Sequence, residues 1–213
     1  MQTEPAFVIK VCGITDEEDG RAALAAGANA LGFNFYRKSP RYITPRRAGE
    51  IAQALGPGYL RVGVFVNAAI TDLLAIGSEV PLDVLQLHGD QCEIPGGTSH
   101  RVWRSVRGDG PIPEPDPRVE AYLLDTYTSE FGGSGRTFDW SKARDFPYRA
   151  IVAGGLNAAN VADAIASLQP WGVDACSCIE SRPGKKDGKR MRAFVRAAFE
   201  GSELLRSQGV GFL

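Results

Sequence analysis

A cysteine at the end of one apolar run and an aspartate at the end of another are the side chains of this sequence best suited to proton-transfer chemistry. Cys12 closes the run Val8-Ile9-Lys10-Val11 and is followed by Gly13-Ile14-Thr15 and then Asp16-Glu17-Glu18-Asp19. Val8, Ile9, Val11 and Ile14 are β-branched, as a buried strand prefers, and Thr15 ahead of four acids reads as a helix start whose positive end favours carboxylates. The segment is therefore strand, turn, helix, with Gly13 freeing the backbone to turn and the thiol at a rim. A rim thiol can act as a base; the alternative is an ordinary buried, inert cysteine. Asp125 follows Tyr122-Leu123-Leu124, an apolar setting that favours the protonated acid and so a proton donor, or else a structural carboxylate capping the next turn. Two titratable groups of different type, kept apart, are what an acid and a base require.

The elements that must position these groups repeat along the chain. Strands are expected at Ala30 to Tyr36, Leu60 to Asn67, Val84 to Gly89, Val102 to Val106, Ala121 to Thr126, Ala150 to Ala153 and Gly172 to Cys178, after the opening one. Helical stretches run from Asp16 to Gly27, from Thr44-Pro45 to Leu55, from Ile70 to Ile76, from Ala158 to Leu168 and from Asp187 to Phe199, with Pro45 at a first helical position where no N–H is needed. Gln91 to His100 is a poor helix and Gly108 to Pro117 a proline-rich loop, so the fourth and fifth helices are short or missing. Phe131 to Trp140, with Gly132-Gly133-Ser134-Gly135, reads as a flexible loop. Eight strands alternating with helices predict an α/β fold, a (β/α)8 barrel in a single domain over residues 1–213. A doubly wound open sheet competes, but Cys12-Gly13-Ile14-Thr15 lacks the glycine fingerprint such sheets use for dinucleotides.

In such a barrel the active site lies where the strands end. That rim holds Cys12, the loop with Arg41, Asn67, His88, Asp125, Gly154-Gly155 and Ser177-Cys178. Arg41 has the planar fork that matches a carboxylate, and His88 is a candidate for binding substrate. Gly154, Gly155, Ser177 and Cys178 fit a phosphate site after strands seven and eight, where backbone N–H groups and helix starts meet an anion.

The 213 residues carry a net charge of −1, which gives no electrostatic footprint for nucleic acid or an anionic membrane. Gly184-Lys185-Lys186-Asp187-Gly188-Lys189-Arg190 reads as a solvated helix start. No signal peptide or bilayer-spanning run is legible, and four cysteines without a disulfide pattern fit a reducing, cytoplasmic setting. With two histidines a zinc site is not expected.

These residues resemble phosphoribosylanthranilate isomerase of tryptophan biosynthesis. The likeness runs through Lys10-Val11-Cys12-Gly13-Ile14-Thr15, Gly32-Phe33-Asn34-Phe35-Tyr36 with Lys38-Ser39-Pro40-Arg41-Tyr42, Val62-Gly63-Val64-Phe65-Val66-Asn67, Leu85-Gln86-Leu87-His88-Gly89-Asp90, Leu124-Asp125 with Gly133-Ser134-Gly135, Ala153-Gly154-Gly155-Leu156, and Glu180-Ser181 with Pro183-Gly184. The resemblance implies a barrel with an incomplete fifth helix and a rearrangement of a phosphorylated small molecule without cofactor or metal, in a monomer or homodimer. It implies Asp125 as general acid, Cys12 as general base, Arg41 on the anthranilate carboxylate, and Gly154, Gly155, Ser177 and Cys178 around the phosphate. Arg37 stands where the family usually has proline, and Cys178 where it most often has glycine. Strand eight closes against strand one in such a barrel, so Cys178 and Cys12 are candidates for a reversibly oxidised pair, the favoured alternative being two cysteines that point apart. The competing readings are another phosphosugar barrel enzyme and a catalytically silent barrel that binds phosphoribosyl compounds.

Overall fold

The computed structural model describes residues 5–125 and 143–209. Eight parallel strands close into a barrel in sequence order: β1 (Val8–Cys12), β2 (Ala30–Asn34), β3 (Leu60–Val66), β4 (Val84–His88), β5 (Arg101–Arg107), β6 (Ala121–Asp125), β7 (Ala150–Val152) and β8 (Gly172–Ala175). Five α-helices are described: α1 (Glu17–Ala26), α2 (Pro45–Leu55), α3 (Ile70–Glu79), α4 (Val161–Leu168) and α5 (Gly188–Ser207). A 3-10 turn (Ser177–Ile179) and a hairpin of β9 (Glu180–Arg182) and β10 (Lys185–Lys186) separate β8 from α5. The expected gap is present, because no helix lies between β4 and β5 or between β5 and β6. The glycine-rich loop from Phe131 to Trp140 lies outside the described residues.

Alternation along the strands divides the apolar residues between two cores. Ile9, Val11, Leu31, Phe33 and Leu85 face the helix layer. Val8, Ala30, Val62, Val84, Trp103 and Leu123 fill the barrel interior, where the rings of Trp103 and Trp171 meet edge to face at 5.7 Å. Trp103 is wholly buried and its indole Nε1 donates to Glu120, so the polar end of the largest interior side chain is satisfied. The interior is thus a packed plug toward the start of the strands.

Several boundaries differ from the sequence expectation. Asp16, not Thr15, caps α1: its carboxylate accepts from the Asp19 N–H, while the Thr15 hydroxyl donates to the Gly184 carbonyl. β8 ends at Ala175 instead of reaching Cys178, because the chain tightens into the 3-10 turn. α4 starts three residues later than expected, after Asn157 and Asn160 have bound each other's turn through side-chain oxygens. α5 runs past Phe199 to Ser207, since Ala198, Ser202 and Leu205 continue its buried stripe.

Candidate functional site

The interior parity that seats Val8 and Leu123 also decides which rim residues face the mouth. Two and four residues beyond Val8 come Lys10 and Cys12; two beyond Leu123 comes Asp125. All eight barrel strands run parallel, so β1 and β6 end Cys12 and Asp125 at the same rim. Three pairings, β1 with β8, β8 with β7 and β7 with β6, separate them, which sets the thiol and the carboxyl across the opening. Asp125 is half buried, and its carbonyl accepts from the Gly108 N–H at 3.0 Å.

Cys12 is buried, and its surroundings are built by residues that sequence reading did not select. Opposite it on β2 stands Gly32; a Cβ there would lie 2.7 Å from the Cys12 Sγ, so the missing side chain is what gives the sulfur room. Below it, Lys10 is fully buried and its Nζ donates to Asp174 Oδ1 at 2.9 Å. Just past the end of β8, the strand that closes the barrel, is Cys176. Interaction with the Cys176 thiol pulls the Cys12 thiol down, to about 6; burial opposes this, and the Lys10 charge adds to it. Cys176 is pushed the other way by the same interaction and by burial. Burial alone would lower the Lys10 ammonium, but Asp174 and Cys12 more than offset it and hold the lysine charged.

Cys178, the candidate partner of Cys12, lies beyond the end of β8 in the 3-10 turn, and it is the Cys176 thiol, at the N-cap of that turn, that acts on Cys12.

Arg41 is at the rim but is engaged: its Nε donates to both Glu180 carboxylate oxygens at 3.0 and 3.1 Å, and Nη2 to Oε2 at 2.8 Å. Glu180 also receives Lys186 Nζ at 3.0 Å and the Gly184 N–H at 3.3 Å. The Gly184 to Arg190 stretch is therefore not a solvated helix start throughout. Lys186 is buried in this ion cluster, and Lys185 binds Asp16, Glu18 and Asp19 at the start of α1.

His88 ends β4 with the interior parity of Val84 and Gln86. Its Nε2 is shared by the Ser105 hydroxyl, at 2.8 Å, and the Gln86 amide. Burial, with the Lys10 charge second, lowers its pKa to about 3, so the ring is neutral at physiological pH. Gly154 and Gly155 follow β7 with φ of +81° and +68°, a left-handed pair that side chains disfavour. The Gly155 carbonyl is held by the Asn157 and Asn160 side-chain amides at 3.3 and 3.1 Å. Ser177 and Cys178, half buried, follow β8 next to this turn in the barrel order.

The structure thus gathers all eight candidates, Cys12, Arg41, His88, Asp125, Gly154, Gly155, Ser177 and Cys178, at the ends of the strands. The residues not selected from sequence were Lys10, Gly32, Asp174, Cys176, Glu180 and Lys186. A signal existed for three of them, since a lysine, an aspartate and a glycine inside apolar strands, at even spacing from a rim residue, share its face.

Chemically, the mouth offers a thiol inclined to ionise, a carboxyl across from it, a guanidinium, a neutral imidazole and two adjacent turns suited to an anion. Residues 9–197 match the family model described as N-(5'-phosphoribosyl)anthranilate (PRA) isomerase. A curated N-(5'-phosphoribosyl)anthranilate isomerase from Solibacter usitatus is 48% identical over 199 residues, which cover 90% of this chain and 97% of that one. The crystal structure of phosphoribosyl anthranilate isomerase from Thermotoga maritima superposes with a TM-score of 0.79 at 38% identity, covering 91% of this chain and 99% of that one. A phosphoribosyl anthranilate isomerase solved in complex with reduced 1-(o-carboxyphenylamino)-1-deoxyribulose 5-phosphate gives 0.74 at 35% identity, with 91% and 99% covered.

Proposed function

Because the chain belongs to the N-(5'-phosphoribosyl)anthranilate isomerase family, we propose how its own side chains carry the reaction. That reaction is an isomerisation in tryptophan biosynthesis: N-(5-phosphoribosyl)anthranilate, an aminoaldose, becomes 1-(2-carboxyphenylamino)-1-deoxyribulose 5-phosphate, an aminoketose.

Asp125, protonated, is the general acid. It delivers its proton to the furanose ring oxygen as the bond from that oxygen to C1′ breaks, and the anthranilate nitrogen supplies the electron pair that makes the Schiff base. Cys12, as thiolate, removes the proton from C2′, and those electrons form the C1′–C2′ double bond of an enolamine. Gain of a proton at C1′ and loss of the hydroxyl proton at C2′ then give the ketone. Lys10 keeps the thiolate in a positive field without competing for the proton, since Asp174 holds it charged.

Arg41 carries five N–H donors, of which the Glu180 contact occupies the one on Nε and one of the two on Nη2; the remainder of the fork serves the anthranilate carboxylate. The Gly154-Gly155 turn and the Ser177-Cys178 turn take the phosphate through backbone N–H groups. His88, neutral, offers a hydrogen bond to the sugar from the floor of the mouth. All four cysteines are free thiols, which supports assigning the enzyme to a reducing cytoplasm.

The observation that carries this reading is the shared rim: Cys12 and Asp125 close two strands of one parallel barrel with the same inward parity. The test follows loss of anthranilate fluorescence with freshly made substrate. Cys12→Ala and Asp125→Asn should each lower kcat by about 10²–10⁴-fold with little change in KM. Wild-type turnover in Cys12→Ala would refute the assigned base.

A further inference from the structure

One ring nitrogen at the floor of the mouth meets two hydrogen-bonding neighbours, and only one protonation state lets it serve both. His88 Nε2 lies 2.8 Å from the Ser105 hydroxyl and 2.5 Å from the amide of Gln86. Strand pairing builds this triangle. Gln86 stands opposite Trp103 on β5, and Ser105 opposite Leu123 on β6; Trp103 and Leu123 both fill the barrel interior, so Gln86 and Ser105 turn inward with them. His88, two residues past Gln86, shares that face.

A neutral imidazole carries one N–H and one bare nitrogen. Were Nε2 the bare one, the Ser105 O–H and a Gln86 N–H would both have to donate to its single lone pair, and the Gln86 carbonyl oxygen would stay buried without a partner. Gln86 is 1% exposed, so water cannot serve that oxygen, and an orphaned buried acceptor is costly. With the proton on Nε2 the conflict ends. The ring N–H donates to the Ser105 oxygen, and a half-turn of the Gln86 amide, whose two ends are alike in size, brings its carbonyl onto the same N–H. Nδ1 is then the bare nitrogen. It takes no hydrogen bond from the described residues and is not among their buried unpartnered atoms, so on this half-buried side chain it opens into the mouth.

We infer that Ser105 is a positioning residue for His88: by accepting the Nε2–H it fixes the ring and the tautomer that presents Nδ1 as an acceptor, so that the substrate is held through a sugar hydroxyl acting as donor. The inference rests on His88 binding the sugar, as proposed above, and adds the direction of that hydrogen bond and the residue that sets it. Burial and the Lys10 charge keep a second proton off the ring, so Nδ1 retains its lone pair.

The chain has two histidines, His88 and His100, so long-range proton–nitrogen spectra of protein labelled with 15N in the imidazole rings read the tautomer directly, with His100→Gln assigning the signals. Wild type at about pH 7.5 should show His88 protonated on Nε2 and bare on Nδ1. In Ser105→Ala the Nε2–H signal should move and the Nδ1–H form should appear. In the fluorescence assay the same variant should raise KM about fivefold with kcat nearly unchanged, as expected when an interaction made equally in the ground and transition states is lost. Ser105→Thr keeps the hydroxyl and should restore both the spectrum and KM. A proton on Nδ1 in wild type, which needs no variant to observe, would overturn the inference. So would a Ser105→Ala protein with native spectrum and KM, or a threonine variant no better than alanine. Native KM in His88→Ala would instead overturn the sugar contact on which it stands.

Discussion

Glu180 shows how much a single residue can decide at this rim. Its carboxylate is held by Arg41, Lys186 and the Gly184 N–H, and its side chain is only 3% exposed. Burial alone would raise its pKa, but the Arg41 hydrogen bonds and the Lys186 charge carry it below the ordinary value of 4.5. A depressed carboxyl stabilises the fold above its unfolded value and loses that contribution as pH falls through its folded one. Glu180→Gln should therefore cost about 3 kcal/mol at neutral pH, because it leaves two cations adjacent with no buried counter-charge. In urea titrations the gap between wild type and variant should hold steady down to about pH 5 and narrow below it. A gap that persists unchanged to about pH 3 would contradict this. Since the same carboxylate orients Arg41, the variant should also raise KM more than it lowers kcat. The residue scale was the hardest to read in advance, because Glu180 and Lys186 acquire meaning only through partners more than a hundred positions distant or across a hairpin. Cys12 and Asp125 were legible because each ends its own apolar run.

At the scale of the element, the strand pair β1 and β2 builds the thiol's chamber. Gly32 opposes Cys12, and the Cβ of an alanine there would meet Cys12 Sγ at 2.7 Å, Cys12 Cα at 3.1 Å and Lys10 Cε at 3.2 Å. The second of these contacts is backbone, so a side-chain rotation cannot relieve all of the overlap. Gly32→Ala should displace the sulfur and lower kcat by at least about tenfold, while overpacking costs about 1–3 kcal/mol of stability. Turnover and urea midpoints measured on the same preparation test both; a variant with native kcat would show that Cys12 does not need this chamber. Element ends were misjudged wherever a local side-chain bond overrode propensity. Asp16 outcompetes Thr15 as the cap of α1 because Thr15 is drawn to Gly184, and Asn157 with Asn160 delays α4 by holding a turn together. The missing helices between β4 and β6 were legible because prolines and glycines exclude them for purely local reasons.

For the molecule as a whole, the decisive contact is the one that closes the ring. Lys10 on the first strand and Asp174 on the last form an ion pair with almost no solvent exposure, across a separation of 164 residues. Asp174→Asn should destabilise the protein by about 3–5 kcal/mol, since it strands a buried ammonium. Lys10→Met combined with Asp174→Leu should regain most of that loss and yet stay far less active than wild type, because the thiolate would lose its positive field. If the double variant turns over substrate at the wild-type rate, the pair is structural alone. Chain order and strand periodicity determined the barrel, its gap and the set of residues at its rim, because parity along a strand and the repeat of strand and helix are local properties. Which groups touch there was settled only by closure: it set Arg41 on Glu180 and buried Lys10 with Asp174. Register between the first and last strands is a long-range quantity that depends on the packing of all eight, and no window of sequence contains it.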